Sequence, residues 1–439
     1  MSAASWPEAL RVFARIGLQS FGGPAGQIAV MHRILVEEKR WLSEARFLHG
    51  LNYCMLLPGP EAMQLVTYVG WLLLRTWGGL VAGLLFVLPG FLAVLALSMM
   101  YAGTQDVAFV EGVFFGIKPA VIAIVVEALL RMARRALRTP LQRWLATLSF
   151  VSIFAFGVPF PLLILAAGIA GAIARVGDVA SADGATDGLI DRALAAGALP
   201  HVRSTPRRTL ATALLWLFVW LAPVAALQGL AGGSVHARLA LFFSQAAVVT
   251  FGGAYAVLAY VAQEAVHAYG WLTAGEMLDG LGLAETTPGP LILVVQFVGH
   301  IAGHRAPGGL SPALSGLLAS LLVVWVTFCP CFLWIFVGAP YLEAVRRSRR
   351  LAGALAAVTA CVVGVIAHLA LWFAMHTLFA RVTVVRSLGL TSHLPDLSTL
   401  NVPSLALAVL ALVAILRYRV GMLATLSCCA ILGATISLL

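Results

Sequence analysis

Residues 20–60 of this chain recur at 250–290 without a gap. Phe21-Gly22-Gly23 returns as Phe251-Gly252-Gly253, Trp41-Leu42 as Trp271-Leu272, and Pro58-Gly59-Pro60 as Pro288-Gly289-Pro290. All stand at an offset of 230, and 13 of the 41 positions are identical. The chain is therefore two copies of one unit. Each copy sets helix-breaking glycines and prolines inside very apolar sequence. Any fold must accommodate long apolar segments and interrupt them at the same places twice.

The interruptions fall in sequence that is 61% hydrophobic and 10% charged over 439 residues, against about 25% charged in a soluble domain. A membrane barrel would need alternating segments of about ten residues, and the sequence has none. Runs such as Leu80–Met100 satisfy their backbone in lipid only as helix. The expected fold is an all-α polytopic membrane protein with broken or re-entrant helices and about 13 helical segments. These are expected at 9–35, 45–70, 78–102, 110–130, 143–157, 160–176, 208–229, 238–262, 278–303, 313–338, 351–376, 403–416 and 420–438. The pair 143–157 and 160–176 is shorter than the ~20 residues a crossing needs. Ser5, with Glu8 three residues on and Pro7 in the first turn, marks a helix start.

The net charge of +10 would suggest nucleic acid in a soluble protein. Here the arginines sit in short loops, so the expected partner is membrane lipid, not nucleic acid. Arg131, Arg134, Arg135, Arg138 and Arg143 follow the fourth segment, whereas Arg346, Arg347, Arg349 and Arg350 precede its equivalent at 351–376. Both clusters belong on the cytoplasmic side, so the two copies run in opposite directions. Seven segments separate their starts, and that odd number also inverts the second copy. The expectation is two inverted-topology repeats, 1–176 and 208–439, with a cytoplasmic N-terminus. They are joined by a mobile, solvated linker, 177–207, and an added loop, Gly303–Pro312, lengthens the second copy. A homodimer is compatible with this organisation.

The breaks hold the candidate chemistry. Adjacent glycines at 22–23 and 252–253 cost a helix roughly 1–2 kcal/mol relative to alanine. They serve either close packing or a break that frees polar backbone. Freed N–H groups at a half-helix start attract anions, and the Ser20 and Thr250 hydroxyls stand at the same places. Pro58-Gly59-Pro60 and Pro288-Gly289-Pro290 cannot be helical throughout. Unwound backbone at membrane depth lines protein or a cavity, and inverted repeats with broken helices place transporter sites there. Beside these breaks stand Glu61 and Gln64 in the first copy, and Glu285, Thr286, Thr287 and Gln296 in the second. Glu61 and Glu285 are candidates either for proton coupling or for carboxylates hydrogen-bonded at a loop. Lys118, before Pro119, is either a counter-charge for an anion or a structural partner of Glu61 or Glu285. Trp71 and Trp77 fit an interfacial belt.

Cys329-Pro330-Cys331 is read as two small apolar residues at a helix break, and no metal or cofactor motif is found. No GxxxxGK[ST], HExxH or GxSxG stands in the sequence, so an enzyme is not the expectation. A membrane enzyme or a non-transporting scaffold is the competing class.

Three stretches, Phe21–Val30, Glu38–Ser43 and Leu57–Trp71, resemble the chromate ion transporter family, and Thr250–Gly253 and Thr287–Pro290 resemble the second-half signature of its long, two-domain members. The resemblance covers roughly 10–140 and 238–375. It implies export of chromate across the bacterial inner membrane, chromate resistance, and sulfate as a competing oxyanion; a transporter taking up sulfate or another oxyanion is the alternative reading. The residues themselves carry the expectation of a midplane site built from the breaks of both copies, with Lys118 as candidate counter-charge. The copies are not interchangeable, because Leu291 stands where the first has Glu61 and Gly270 where it has Arg40.

Overall fold

The computed structural model describes residues 5–104, 107–174, 188–202, 205–251, 253–341, 349–387 and 390–438. Helices dominate, and all thirteen expected segments carry helix. Among the described residues, five helices are long and apolar enough to cross a membrane. Segments 9–35, 45–70, 238–262 and 278–303 are each two helices meeting at a Phe-Gly-Gly or Pro-Gly-Pro break.

In the first copy, α1 (Trp6–Gln19) and α2 (Gly23–His32) flank one break, and α3 (Glu44–Leu56) and α4 (Glu61–Thr104) flank the other. Then come α5 (Ala108–Ala136), α6 (Pro140–Phe156) and α7 (Phe160–Ala174), followed by the short linker helix α8 (Leu189–Ala195) and by α9 (Pro206–Ala231), which leads into the second copy. In the second copy, α10 (Val235–Val249) and α11 (Ala254–Gln263) flank a break, as do α12 (Ala274–Thr286) and α13 (Val294–Arg305). They are followed by α14 (Pro312–Gly338), α15 (Arg349–Leu378), α16 (Val402–Leu416) and α17 (Met422–Leu438). The sequence marks several helix starts with a hydroxyl just before a proline. Thr139, Thr205 and Ser311 each accept a backbone N–H of the first turn, which satisfies an otherwise orphaned donor. Ser5 precedes α1 as expected but makes no capping bond, and Glu8 pairs with Lys39 at 2.7 Å instead.

The repeat extends to backbone detail. A π-helical turn ends both α2 and α11, at Arg33–Glu38 and Glu264–Ala268. After it, Lys39 N donates to Ile34 O and Trp41 N to Leu35 O, both at 2.9 Å. At an offset of 230, Tyr269 N donates to Glu264 O at 2.9 Å and Trp271 N to Ala265 O at 2.8 Å. The turn needs a left-handed residue, with φ 50° at Arg40 and 60° at Gly270. The second copy meets this with glycine and the first strains an arginine.

Two compact units cut across the sequence halves. One comprises Met1–Ala96, Asp178–Ala254 and Thr287–Ser348; the other comprises Leu97–Gly177, Tyr255–Thr286 and Arg349–Leu439. In the first unit, α4 reverses at Leu74–Arg75, where the dihedrals leave the helical region. Gly70 and Gly78 would lie about 12 Å apart along a straight helix, yet a Cβ on either would overlap the other's carbonyl. The first copy thus makes a short helix, 61–73, that doubles back. α13 and α14 do the same through Gly303, which packs on Ala319. The loop between them is 306–311, shorter than the sequence suggests. α9 packs Trp216 on Phe332 and Phe336, while Leu210, Leu214 and Phe218 are exposed.

Part of the linker, 188–202, is docked rather than solvated. Leu189 N and Ile190 N donate to Arg40 O and Trp41 O at 3.1 and 2.9 Å. Asp191 accepts from Ser43 N and pairs with Arg46 Nε, both at 3.0 Å. His201 Nε2 meets Trp71 O at 3.0 Å, with its ring edge-on to the Trp71 indole. Trp71 is therefore buried rather than interfacial, whereas Trp77 is exposed as expected. Asp178, Asp183, Asp187 and Arg203 lie outside the described residues, as do Arg346 and Arg347.

In the second unit, α5 packs closely on α17 through Gly116 and Gly433, and α7 on α15 through Gly171 and Gly353. Small residues let helices approach where lipid gives no hydrophobic drive. α6 and α7 are separate helices of 17 and 15 residues, about 25 and 22 Å long. One element is not in the sequence expectation, an antiparallel hairpin of β1 (Val382–Ser387) and β2 (Leu390–Pro395). The β-branched Val382-Thr383-Val384-Val385 favours strand.

Candidate functional site

The first unit brings together breaks from both copies. Gly59 N donates to Thr250 O at 2.7 Å, and Gly289 N donates to Ser20 O at 2.8 Å. The exchange is reciprocal. The Pro-Gly-Pro of each copy bonds the residue that opens the Phe-Gly-Gly break of the other. Such an exchange between equivalent segments is the signature of a two-fold relation. Left-handed glycines make it sterically feasible, with φ 119° at Gly59 and 92° at Gly289. A Cβ on Gly59 would sit 2.8 Å from Gln64 Nε2 and 2.9 Å from Cys331 Sγ, and one on Gly289 would sit 3.3 Å from Gly90 Cα. Gly22 (φ 84°), Gly23 (φ 66°) and Gly253 (φ 96°) are also left-handed, so the glycine pairs are breaks and not only packing surfaces. Gly252 lies outside the described residues.

The flanking side chains are tied to the same backbone. Ser20 and Thr250, both buried, donate their hydroxyls to Ile16 O and Ala246 O at 2.6 and 2.5 Å. These bonds hold helix ends that have lost their next partners. Gln64 donates to Pro58 O at 2.7 Å, and Gln296 to Phe91 O at 2.9 Å. Gln27 of α2, absent from the sequence expectation, donates to Gly289 O at 2.7 Å. Its equivalent is Val257, so only the second copy's loop is held this way. Glu61 opens α4 beside the second break, where a Cβ on Gly253 would lie 3.6 Å from Oε1. Thr287 and Pro290 are buried in this unit, and Pro288 is half-buried. The first turns of α2 and α4 present N–H groups with no intrahelical acceptor.

Glu285, Thr286 and Lys118 belong to the second unit. Glu285 is buried and accepts from Tyr255 Oη at 2.6 Å. The Thr286 hydroxyl donates to Leu283 O at 2.8 Å. Lys118 pairs with neither Glu61 nor Glu285. Its ammonium lies 3.4 Å from Asp279 Oδ2, which also accepts from Tyr101 Oη at 2.9 Å. Asp279 is one of two acids inside segment 278–303, with Glu285, and the scarcity of charge there is the signal that could have found it. The alignment gave none, since its counterpart is His49.

Comparison with known proteins places this architecture. The family model for chromate transporters matches residues 7–172 and 237–434. The chain is 35% identical over 367 residues to a chromate transport protein of Pseudomonas aeruginosa, covering 82% of this chain and 79% of that one. It is 29% identical over 368 residues to a probable chromate transport protein of Synechococcus elongatus, covering 83% and 84%. A chromate transport protein of Cupriavidus metallidurans is 26% identical over 409 residues, covering 92% of each chain. No solved structure matches the chain. The twice-broken, multi-pass membrane protein described here belongs to the chromate transporter family.

Proposed function

We propose that this protein exports chromate from the cytoplasm across the bacterial inner membrane and so confers chromate resistance. The observation that carries the reading is the reciprocal bonding of Gly59 to Thr250 and of Gly289 to Ser20. It gathers broken helix ends from both copies, in a chain whose relatives include proteins named for chromate transport. The first-turn N–H groups of α2 and α4 are aligned dipoles suited to an oxyanion. Thr287 adds a hydroxyl there, and Ser20 and Thr250 add theirs by turning from Ile16 O and Ala246 O. Lys118, Glu285 and Thr286 belong to the other unit, where Lys118 pairs with Asp279. The two copies, inverted about the breaks with the N-terminus in the cytoplasm, alternate access by rocking. Each negative charge leaving a negative interior gains about 2.3 kcal/mol per 100 mV, so the membrane potential suffices as driving force.

Inside-out membrane vesicles test this directly. With the lumen held positive, vesicles carrying the protein should accumulate chromate and empty vesicles should not. No accumulation, or movement of sulfate alone in the opposite direction, contradicts export.

A further inference from the structure

We infer that the species carried is the protonated monoanion, hydrogen chromate, and that Gln64 and Gln296 select it over sulfate. The inference rests on the reading above, that the breaks hold an oxyanion. Both side chains are fully buried, at 0% exposure. Each turns its Nε2 onto a backbone carbonyl, Pro58 O at 2.7 Å and Phe91 O at 2.9 Å. A carbonyl only accepts, so the amide nitrogen must face it and the position of the amide oxygen is fixed. The oxygens, Gln64 Oε1 and Gln296 Oε1, are left buried without a donor. Buried acceptors that lack a donor are costly and call for an explanation.

Both stand at the breaks. Gln64 holds the first residue of one Pro-Gly-Pro. Gln296 holds the carbonyl of Phe91, next to Gly90, which packs on Pro288 and Gly289. Glu61, a third acceptor when ionised, stands beside Gly253. Against these oxygens a tetrahedral dianion offers only lone pairs. A monoanion with one O–H donates to such an acceptor, and its remaining oxygens accept from the first-turn N–H groups of α2 and α4. Chromate is the conjugate base of an acid that keeps its proton near neutral pH, whereas hydrogen sulfate loses its proton far below that. At neutral pH the acceptors therefore separate two anions of nearly the same shape, and one negative charge leaves with each anion carried. No bond is made or broken; the proton travels on the substrate.

The test uses the purified full-length protein in proteoliposomes, with chromate flux measured against tetrahedral competitors at pH 7. Phosphate and arsenate, which bear a proton there, should inhibit. Sulfate and selenate, which do not, should inhibit on the order of 10²-fold more weakly, since a site that pairs a substrate hydroxyl rejects the analogue lacking it by up to ~10⁴. From pH 6.5 to 8.5 the KM for total chromate should rise, approaching about tenfold per unit, as the competent fraction falls, while the inhibition constant of sulfate stays level. Gln64→Leu and Gln296→Leu should narrow the chromate–sulfate ratio by about tenfold or more. Sulfate or selenate inhibiting as strongly as phosphate overturns the inference and leaves transport standing. So does a pH-independent KM, or one that shifts in parallel with the sulfate constant. Absence of any chromate flux overturns the transport reading and this inference with it.

Discussion

Lys118 and Asp279 show what a single buried charge requires in this chain. Lys118 stands out in the sequence as a cation in an apolar segment, but its partner does not, because it lies 161 residues away in the other copy. Removing one member of such a pair leaves the other uncompensated, at a cost of about 3–5 kcal/mol when both are buried. Lys118 keeps 29% side-chain exposure, so the expected cost is lower, about 1–3 kcal/mol. Lys118→Met should therefore lower the melting temperature in detergent, and Lys118→Met with Asp279→Asn should recover most of the loss. A double variant no more stable than the single one contradicts a structural pair. The breaks were more legible than this pair. Phe-Gly-Gly and Pro-Gly-Pro announce themselves by composition, whereas Gln27 looks like any polar residue until α2 brings it to Gly289.

Among the elements, the linker departs most from its composition. Read alone, its Gly, Ala and Asp content suggests solvated coil. The structure instead docks α8 and the turn at Pro200–Val202 onto the two connections that flank the first Pro-Gly-Pro helices. Backbone bonds to Arg40 and Trp41 cannot be read from side-chain chemistry, which is why this contact was hidden. Asp191→Ala should remove the buried partner of Arg46 and speed proteolysis and amide exchange across 188–202 without preventing membrane insertion. Unchanged protection would mean that the ion pair does not hold the segment. Burial lowers the pKa of His201 from its ordinary 6.5, with the positive Arg75 and Arg208 acting in the same direction. The docked segment thus resists the proton that the released segment accepts. Docking is fully stable above about pH 6.5 and weakens as pH falls through the lowered value, so the protection of 188–202, relative to the intrinsic exchange rate at each pH, should fall on acidification. In His201→Gln that pH dependence should disappear.

For the whole molecule, duplication is the organising fact. The sequence expresses it as an offset of 230, and the structure repeats it in π turns, left-handed residues and broken helices. The copies nonetheless differ where chemistry is placed, with Glu61 against Leu291 and Gln27 against Val257. The repeat was legible because backbone breaks demand glycine and proline. The compact units were not, because each draws on both copies. The central claim is that reciprocal Gly59–Thr250 and Gly289–Ser20 bonding builds one oxyanion site from two copies. It is tested most directly by chromate flux in proteoliposomes under an imposed potential, for the wild type and for Gly59→Val and Gly289→Val. A side chain at either glycine meets the left-handed penalty of about 1–2 kcal/mol and its packed neighbours. Each variant alone should insert normally yet lose chromate flux by at least about tenfold. If either variant carries chromate at the wild-type rate, the two breaks do not form one site.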